Sequence, residues 1–210
     1  MKIEMITGPM FSGKSEELIR RIRRAVIAGQ KVQVFTPSID FRGGTNCIFS
    51  HDKRKIEAIP VNSSKEILEK LDPDTEVVGV DEIQFLDDGI IEVAEELVRR
   101  GIRVILACLN LDFRGEPFPF RNSKRTVAEM IARSDYIYKL QAICTHKIKD
   151  KNGNVRICGK KAHFTQRLID GKPAPYDSPT IVVGSEELYE ARCRKHHIVP
   201  GKPKNKHKSA

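Results

Sequence analysis

Hydrophobic and polar positions change their period along the chain in a way that separates strands from helices. Residues 2–7 (KIEMIT) form a short apolar run ending at Gly8-Pro9, and from Lys14 to about Ala28 apolar side chains recur at helical spacing until Gly29. This predicts a strand, a tight loop and a helix. Lys31–Pro37 (KVQVFTP) alternates as a strand does, Gly43-Gly44 breaks the chain, and Ile56–Val61 reads as a short strand before a Ser63-Ser64 cap and a helix over Lys65–Leu71. Glu76–Val80 (EVVGV) is β-rich and runs into Asp81-Glu82. Ile90–Arg100 has helical spacing and stops at Gly101, and Val104–Leu109 (VILACL) is the nearly continuous apolar run of a strand buried on both faces. A helix near Ser123–Ala132 precedes a further stretch, Tyr136–Ile143. Strands alternating with helices predict an α/β fold: a mostly parallel sheet with helices on both faces.

Beyond Cys144 the texture changes. Lys, Gly, Asn and Pro dominate up to Ser178, with short β-like pieces such as Asn154–Ile157 and Thr180–Val183. The expected division is an α/β domain over 1–140, a small second domain over 141–200 and a basic, disordered tail over 201–210. The second domain is too poor in apolar residues to hold itself together, so a metal staple is expected there.

Composition narrows the class. At 210 residues the chain can bury one full core with a small appendage. It contains no run of about 18 apolar residues and no secretory pattern over residues 1–20, which predicts a soluble cytoplasmic protein without a membrane partner. Lys and Arg total 37 against 28 acids, a formal charge of +9 that would suit a polyanionic partner. Much of that excess lies in Arg20, Arg21, Arg23 and Arg24 on one helix and in Gly201–Ala210, so a solvated helix face plus a loose tail accounts for it equally. Five cysteines, an odd number, argue against a disulfide framework.

Two constellations carry chemistry. Gly8-Pro9-Met10-Phe11-Ser12-Gly13-Lys14-Ser15 fits G-x-x-x-x-G-K-[ST], standing between a predicted strand and a predicted helix as that motif requires. Glycines let backbone amides converge on phosphate oxygens, the helix N-terminus adds about half a positive charge, Lys14 reaches the β/γ-phosphates, and the Ser15 hydroxyl can ligate Mg²⁺. Such a loop needs a carboxylate at the end of a neighbouring strand, and Asp81 is placed to supply it. Glu82, expected on the opposite side of an extended chain, would face a bound acceptor and take a proton from a nucleophilic hydroxyl or water.

The second constellation is Cys144, Cys158, Cys193 and His196, four ligands of zinc type. A tetrahedral Cys₃His set is a closed structural site. Its spacing is irregular, because the thirteen residues Thr145–Ile157 part the first two cysteines, and His197 or His146 is an alternative to His196.

GPMFSGKS at the start, DEIQF at Asp81–Phe85, LNLDFRGEPF at Leu109–Phe118, TQRL at Thr165–Leu168 and YEARCRKHH at Tyr189–His197 together resemble the thymidine kinases of the cytosolic, tetrameric type. The resemblance covers nearly the whole chain in the expected order. It implies a RecA-like P-loop sheet with a small C-terminal zinc domain carrying a lasso loop, and transfer of the ATP γ-phosphate to the 5′-hydroxyl of thymidine. Gly8, Pro9, Met10, Phe11, Ser12, Gly13, Lys14 and Ser15 would bind ATP, with Ser15 and Asp81 organising Mg²⁺ and Glu82 acting as general base. Met10 and Phe113 would flank the base, with Gln84, Leu109, Asp40 and Arg42 also toward the nucleoside. The lasso, from about Phe164 to Tyr189, would hold the thymine edge through backbone groups at Val182, Val183 and Gly184, with Thr165 close to the base and Tyr189 on the far side. Zinc would anchor both ends of it. The family also implies a homotetramer and feedback inhibition by dTTP. Two departures stand out: the Thr145–Ile157 insertion where relatives often have C-x-x-C, and His196 where many have Cys.

A basic P-loop chain with a zinc ribbon also fits an ATPase stimulated by nucleic acid. Against that stands the lack of aromatic residues interleaved with the basic ones, so no nucleic-acid partner is expected. A nucleotide-binding regulator without turnover would leave Glu82 idle.

Overall fold

The computed structural model describes residues 1–38, 47–49, 55–181 and 188–203. The chain forms two compact units. The first comprises Met1–Gly8, Ser12–Asn110 and Pro117–Leu140; the second comprises Pro9–Phe11, Leu111–Glu116 and Gln141–Ala210.

In the first unit the elements follow the order β1 (Ile3–Gly8), α1 (Lys14–Ile27), β2 (Val32–Pro37), β3 (Cys47–Phe49), β4 (Lys55–Glu57), β5 (Ile59–Val61) and α2 (Lys65–Glu69). Then come β6 (Val77–Val80), a 3₁₀ turn at Ile83–Phe85, α3 (Ile90–Arg99), β7 (Arg103–Leu109), α4 (Val127–Ala132) and β8 (Tyr136–Lys139). Six strands make a sheet in the order β5-β2-β6-β7-β1-β8, every neighbouring pair parallel. The sheet is covered on both sides. Ile105 and Ala107 of β7 share a buried cluster with Leu18, Ile19, Ile22 and Ala25 of α1. Val104, Leu106 and Cys108 are also wholly buried, and the strand's period of two turns them to the opposite face.

Two predicted strands divide. Ile56–Val61 splits at Ala58, so that Lys55–Glu57 pairs antiparallel with β3 while Ile59–Val61 joins the sheet beside β2. Tyr136–Ile143 splits as well: Tyr136–Lys139 is the exposed sheet edge, and Ala142–Ile143 belongs to the second unit. Apolar periodicity runs through both breaks unchanged, so it could not reveal a change of partner.

Gly79 explains why α1 can approach β6. A Cβ built there would lie 2.8 Å from Ile22 Cδ1 and 3.5 Å from Leu18 Cδ1. The basic face expected on α1 is only partly solvated: Arg20, Arg23 and Arg24 are exposed, but Arg21 is buried. Its guanidinium pairs with Glu4 of β1 and lies 3.6 Å from the Tyr138 ring centroid, while Arg103 Nε donates to Glu4 Oε1 at 2.8 Å.

The second unit is strand and turn. It holds β9 (Ala142–Ile143), β10 (Lys147–Lys149), β11 (Val155–Ile157), β12 (Lys161–Ala162), β13 (Phe164–Ile169), β14 (Lys172–Pro173) and β15 (Tyr189–Arg192). β14-β13-β15 form an antiparallel sheet, β10 and β11 a hairpin, and β9 pairs with β12. One buried group here consists of Ala142, Cys144, Ala162, Ala191 and Cys193. Among the described residues no helix is long and apolar enough to cross a membrane.

Candidate active site and metal centre

β1 delivers the chain into the phosphate loop at Gly8. A side chain there would collide with Leu140 O at 2.7 Å and Ser12 Oγ at 2.8 Å, so glycine is required by close packing. Phe11 (φ 64°) and Gly13 (φ 79°) are left-handed. Left-handed residues at alternate positions turn main-chain N–H groups toward one side, the form of an anion nest. Gly13 is also the N-cap of α1, which adds the positive end of the helix dipole. Lys14 is buried in the first turn.

Asp81 follows β6 and is buried. The strand that carries it is not next to β1, as the sequence implied; β7 lies between them. The first turn of α1 makes up the separation, bringing Ser15 and Lys14 close enough to act on the Asp81 carboxyl. Burial and the neighbouring charge of Glu82 push the Asp81 carboxyl up to about 7, against the opposing pull of Ser15 and Lys14.

Glu82 owes its direction to a kink and not to strand alternation. The strand ends at Val80, and Glu82 is left-handed at φ 48°, ψ 43°, capping the 3₁₀ turn. A non-glycine residue in that region costs of order 1–3 kcal/mol and persists where its surroundings hold it. Asp81 Oδ1 accepts from the Glu82 N–H at 2.9 Å. Gln84, fully buried, donates its amide to the Glu82 carboxylate and accepts from the Leu109 N–H at 3.2 Å. Asp81, Glu82, Gln84 and Leu109 are thus one connected group at the ends of β6 and β7.

In the second unit the Met10 N–H donates to Thr165 Oγ1 at 3.0 Å. Thr165 pairs with Ala191 across β13 and β15, and Tyr189 pairs with Arg167 two positions along. Phe113 is buried, with the guanidinium carbons of Arg114 and Arg167 lying 5.1 and 5.6 Å from its ring centroid. His197 Nε2 lies 2.8 Å from Phe113 O, so that nitrogen carries the proton. Burial holds the His197 ring below the usual imidazole range, which keeps it neutral for that bond. Asp40, Arg42, Val182, Val183 and Gly184 lie outside the described residues. The parts played by Arg114, Arg167 and His197 around Phe113 carry no signal in the sequence, where each reads as one more basic residue among many.

Cys144, Cys158, Cys193 and His196 bring their ligand atoms within 4.8 Å of one another, a set able to hold a metal ion. The distances from His196 Nδ1 to Cys144 Sγ and Cys193 Sγ are 3.6 and 3.5 Å. Tetrahedral zinc with ordinary Zn–S and Zn–N bonds separates such atoms by about 3.6 Å, so the four residues fit zinc. His197 is turned to Phe113 instead, and the His146 ring lies tilted against His196 with centroids 4.3 Å apart, outside the ligand set. The long spacing between the first two cysteines is closed by the β10–β11 hairpin: Thr145–Ile157 folds back on itself, and the Cys158 N–H donates to His146 O at 2.7 Å.

A family model described as thymidine kinase matches residues 1–197. The match takes in the phosphate loop, the paired acids and the metal knuckle alike, and the chain therefore belongs to the thymidine kinase family.

Proposed function

We propose that this kinase transfers the γ-phosphoryl group of ATP to the 5′-hydroxyl of thymidine, and of deoxyuridine, yielding dTMP for nucleotide salvage in the cytoplasm. The observation that carries the reading is the buried Asp81, acted on by Ser15 and Lys14 of the phosphate loop and joined directly to Glu82 through the Glu82 N–H. It couples a phosphate-loop hydroxyl to a carboxylate pair, which a structural glycine turn has no need of. Glu82 accepts the 5′-hydroxyl proton, the freed oxygen bonds to the γ-phosphorus, and the bond to the β–γ bridging oxygen breaks to release ADP. Ser15 and Asp81 would hold Mg²⁺, which would neutralise phosphate charge. Met10, Phe113 and Thr165 contribute to the thymine site, together with Asp40, Arg42, Val182, Val183, Gly184 and Tyr189. Zinc at the cysteine cluster is structural. The family supports a homotetramer restrained by dTTP.

The test is thymidine-dependent ADP release by the purified chain with Mg-ATP. Glu82→Gln is expected to lower turnover by about two to four decades while ATP still binds. ATP hydrolysis stimulated by single-stranded DNA and indifferent to thymidine would overturn the reading.

A further inference from the structure

One side chain ties the loop Asp112–Glu116 to the segment Tyr176–Thr180. Arg114 Nε donates to Tyr176 O at 2.7 Å, Nη2 to Ser178 O at 2.8 Å and Nη1 to Thr180 Oγ1 at 2.9 Å. Nη1 also reaches Asp112 Oδ2 at 3.3 Å. Two of the three acceptors on the segment are main-chain carbonyls and the third is the Thr180 hydroxyl, so the guanidinium reads mainly the path of the segment. A planar fork can satisfy three such acceptors at once, whereas a lysine ammonium presents a single point. Neighbouring contacts converge on the same place: Arg167 Nη1 donates to Pro179 O at 2.5 Å, and the Tyr176 hydroxyl donates to Glu116 Oε1 at 3.0 Å.

Two consequences follow from the position of Arg114. It directly succeeds Phe113 and its guanidinium lies over that ring. The segment it grips leads at once into residues 182–184, to which the resemblance assigns the thymine edge. We propose that Arg114 is a positioning residue that latches the stem of the lasso to the Phe113 loop and holds the nucleoside-competent arrangement of both. This rests on the thymidine kinase reaction proposed above.

A latch of this kind acts on population. When its loss leaves about one molecule in ten to one in a hundred competent, the apparent KM for thymidine rises by about ten- to a hundredfold while kcat stays near its value. The experiment compares the full chain of the wild type with Arg114→Gln, Arg114→Lys and Thr180→Val, each checked for zinc content and thermal unfolding. Two readouts are taken: kcat and KM for thymidine and ATP, and the rate of cleavage of ligand-free protein by chymotrypsin at Tyr176 and thermolysin at Ile181. For Arg114→Gln we expect the thymidine KM to rise in the stated range, the ATP KM and kcat to stay within about threefold, and cleavage to speed up about tenfold or more. Arg114→Lys and Thr180→Val should show smaller changes of the same kind. Unchanged cleavage and thymidine KM in Arg114→Gln, or an equal rise in the KM of both substrates, would overturn the latch. Should the wild type ignore thymidine, the proposed reaction falls, while the cleavage rates still decide whether Arg114 holds the stem.

Discussion

Gln84 donates its side-chain amide to the carboxylate of Glu82 and, with the other end of the same amide, accepts the Leu109 N–H. The main chain at the end of β7 therefore fixes the amide's orientation, and the amide fixes the carboxylate. Because Gln84 is fully buried, it supports the acid from beneath. A base such as the one proposed at Glu82 must stand within hydrogen-bond reach of the proton it takes, so a support of this kind would govern the rate more than the binding of ATP.

Gln84→Leu keeps roughly the side chain's volume but removes both bonds. Turnover should drop by about ten- to a hundredfold, as when the partner that orients a functional group is lost, with the ATP KM within about threefold. Rapid-quench single-turnover kinetics would isolate the phosphoryl-transfer step. An unchanged rate for that step would show that Glu82 holds its place without Gln84.

Gly79 makes a separate prediction about packing. The space its missing Cβ would take is held by Ile22 Cδ1 at 2.8 Å. Alanine in a strand gains about 0.5–1 kcal/mol over glycine, but overpacking costs about 1–3 kcal/mol, so Gly79→Ala should be destabilising by up to about 2.5 kcal/mol. Gly79→Val should cost more and weaken ATP binding, since the helix displaced from β6 carries Lys14 and Ser15 at its start. Trimming the neighbour, as in Gly79→Ala with Ile22→Val, should recover part of the loss in a double-mutant cycle. Strict additivity of the two thermal shifts would mean that the helix does not rest on this contact.

The sheet could be read from the sequence because its strands are apolar runs closed by punctuation: Gly8-Pro9 after the first, Asp81-Glu82 after EVVGV, Gly101 before VILACL. The three cysteines of the cluster stood out by residue type, while its histidine stayed open among His146, His196 and His197; the spacing is one that only the β10–β11 hairpin makes compact. What stayed hidden depends on contacts distant in sequence. Nothing local distinguishes Arg21 from Arg20, yet Arg21 is buried against Glu4, 17 positions earlier. Glu82 sits in a left-handed kink where a strand-end alternation was expected. Arg114 looks like a surface charge until its acceptors 62 to 66 residues away are seen.

Glu4 links that hidden network to acidity. Burial alone would raise its carboxyl, but hydrogen bonds and charge from Arg103 and Arg21 outweigh it, leaving the group below the usual carboxylate range. A carboxylate depressed in the folded state contributes stability that is present above its unfolded value of about 4.5 and fades as pH falls through the lower folded value. Glu4→Gln removes one of the two carboxylates that hold Arg21, leaving Glu17 at 2.8 Å, and should cost about 1–3 kcal/mol near neutrality. The gap in thermal midpoint between wild type and Glu4→Gln should therefore narrow as pH falls below about 4.5. A gap that stays constant down to the acid limit would mean that the pair contributes nothing through its charge.

The metal cluster carries the last prediction. Cys144 and Cys193 share their buried group with three alanines, Ala142, Ala162 and Ala191. At about 0.8 kcal/mol per buried carbon, such side chains offer a few kcal/mol, against about 1–2 kcal/mol of backbone entropy for every residue they order. A structural zinc, worth about 10–16 kcal/mol in small metal-folded domains, would add substantially to what these side chains offer. The intact protein should hold about one zinc per chain, and chelation should expose β13 and β15 to amide exchange while β1, β6 and β7 stay protected. The two adjacent histidines separate cleanly. His196→Ala removes a member of the cluster and should release the metal, whereas His197→Ala should keep it and loosen the hold on Phe113 O and the stack on Phe164. Full zinc content in His196→Ala together with loss in His197→Ala would reverse their roles, and exchange unaffected by chelation would show that this unit stands without its metal.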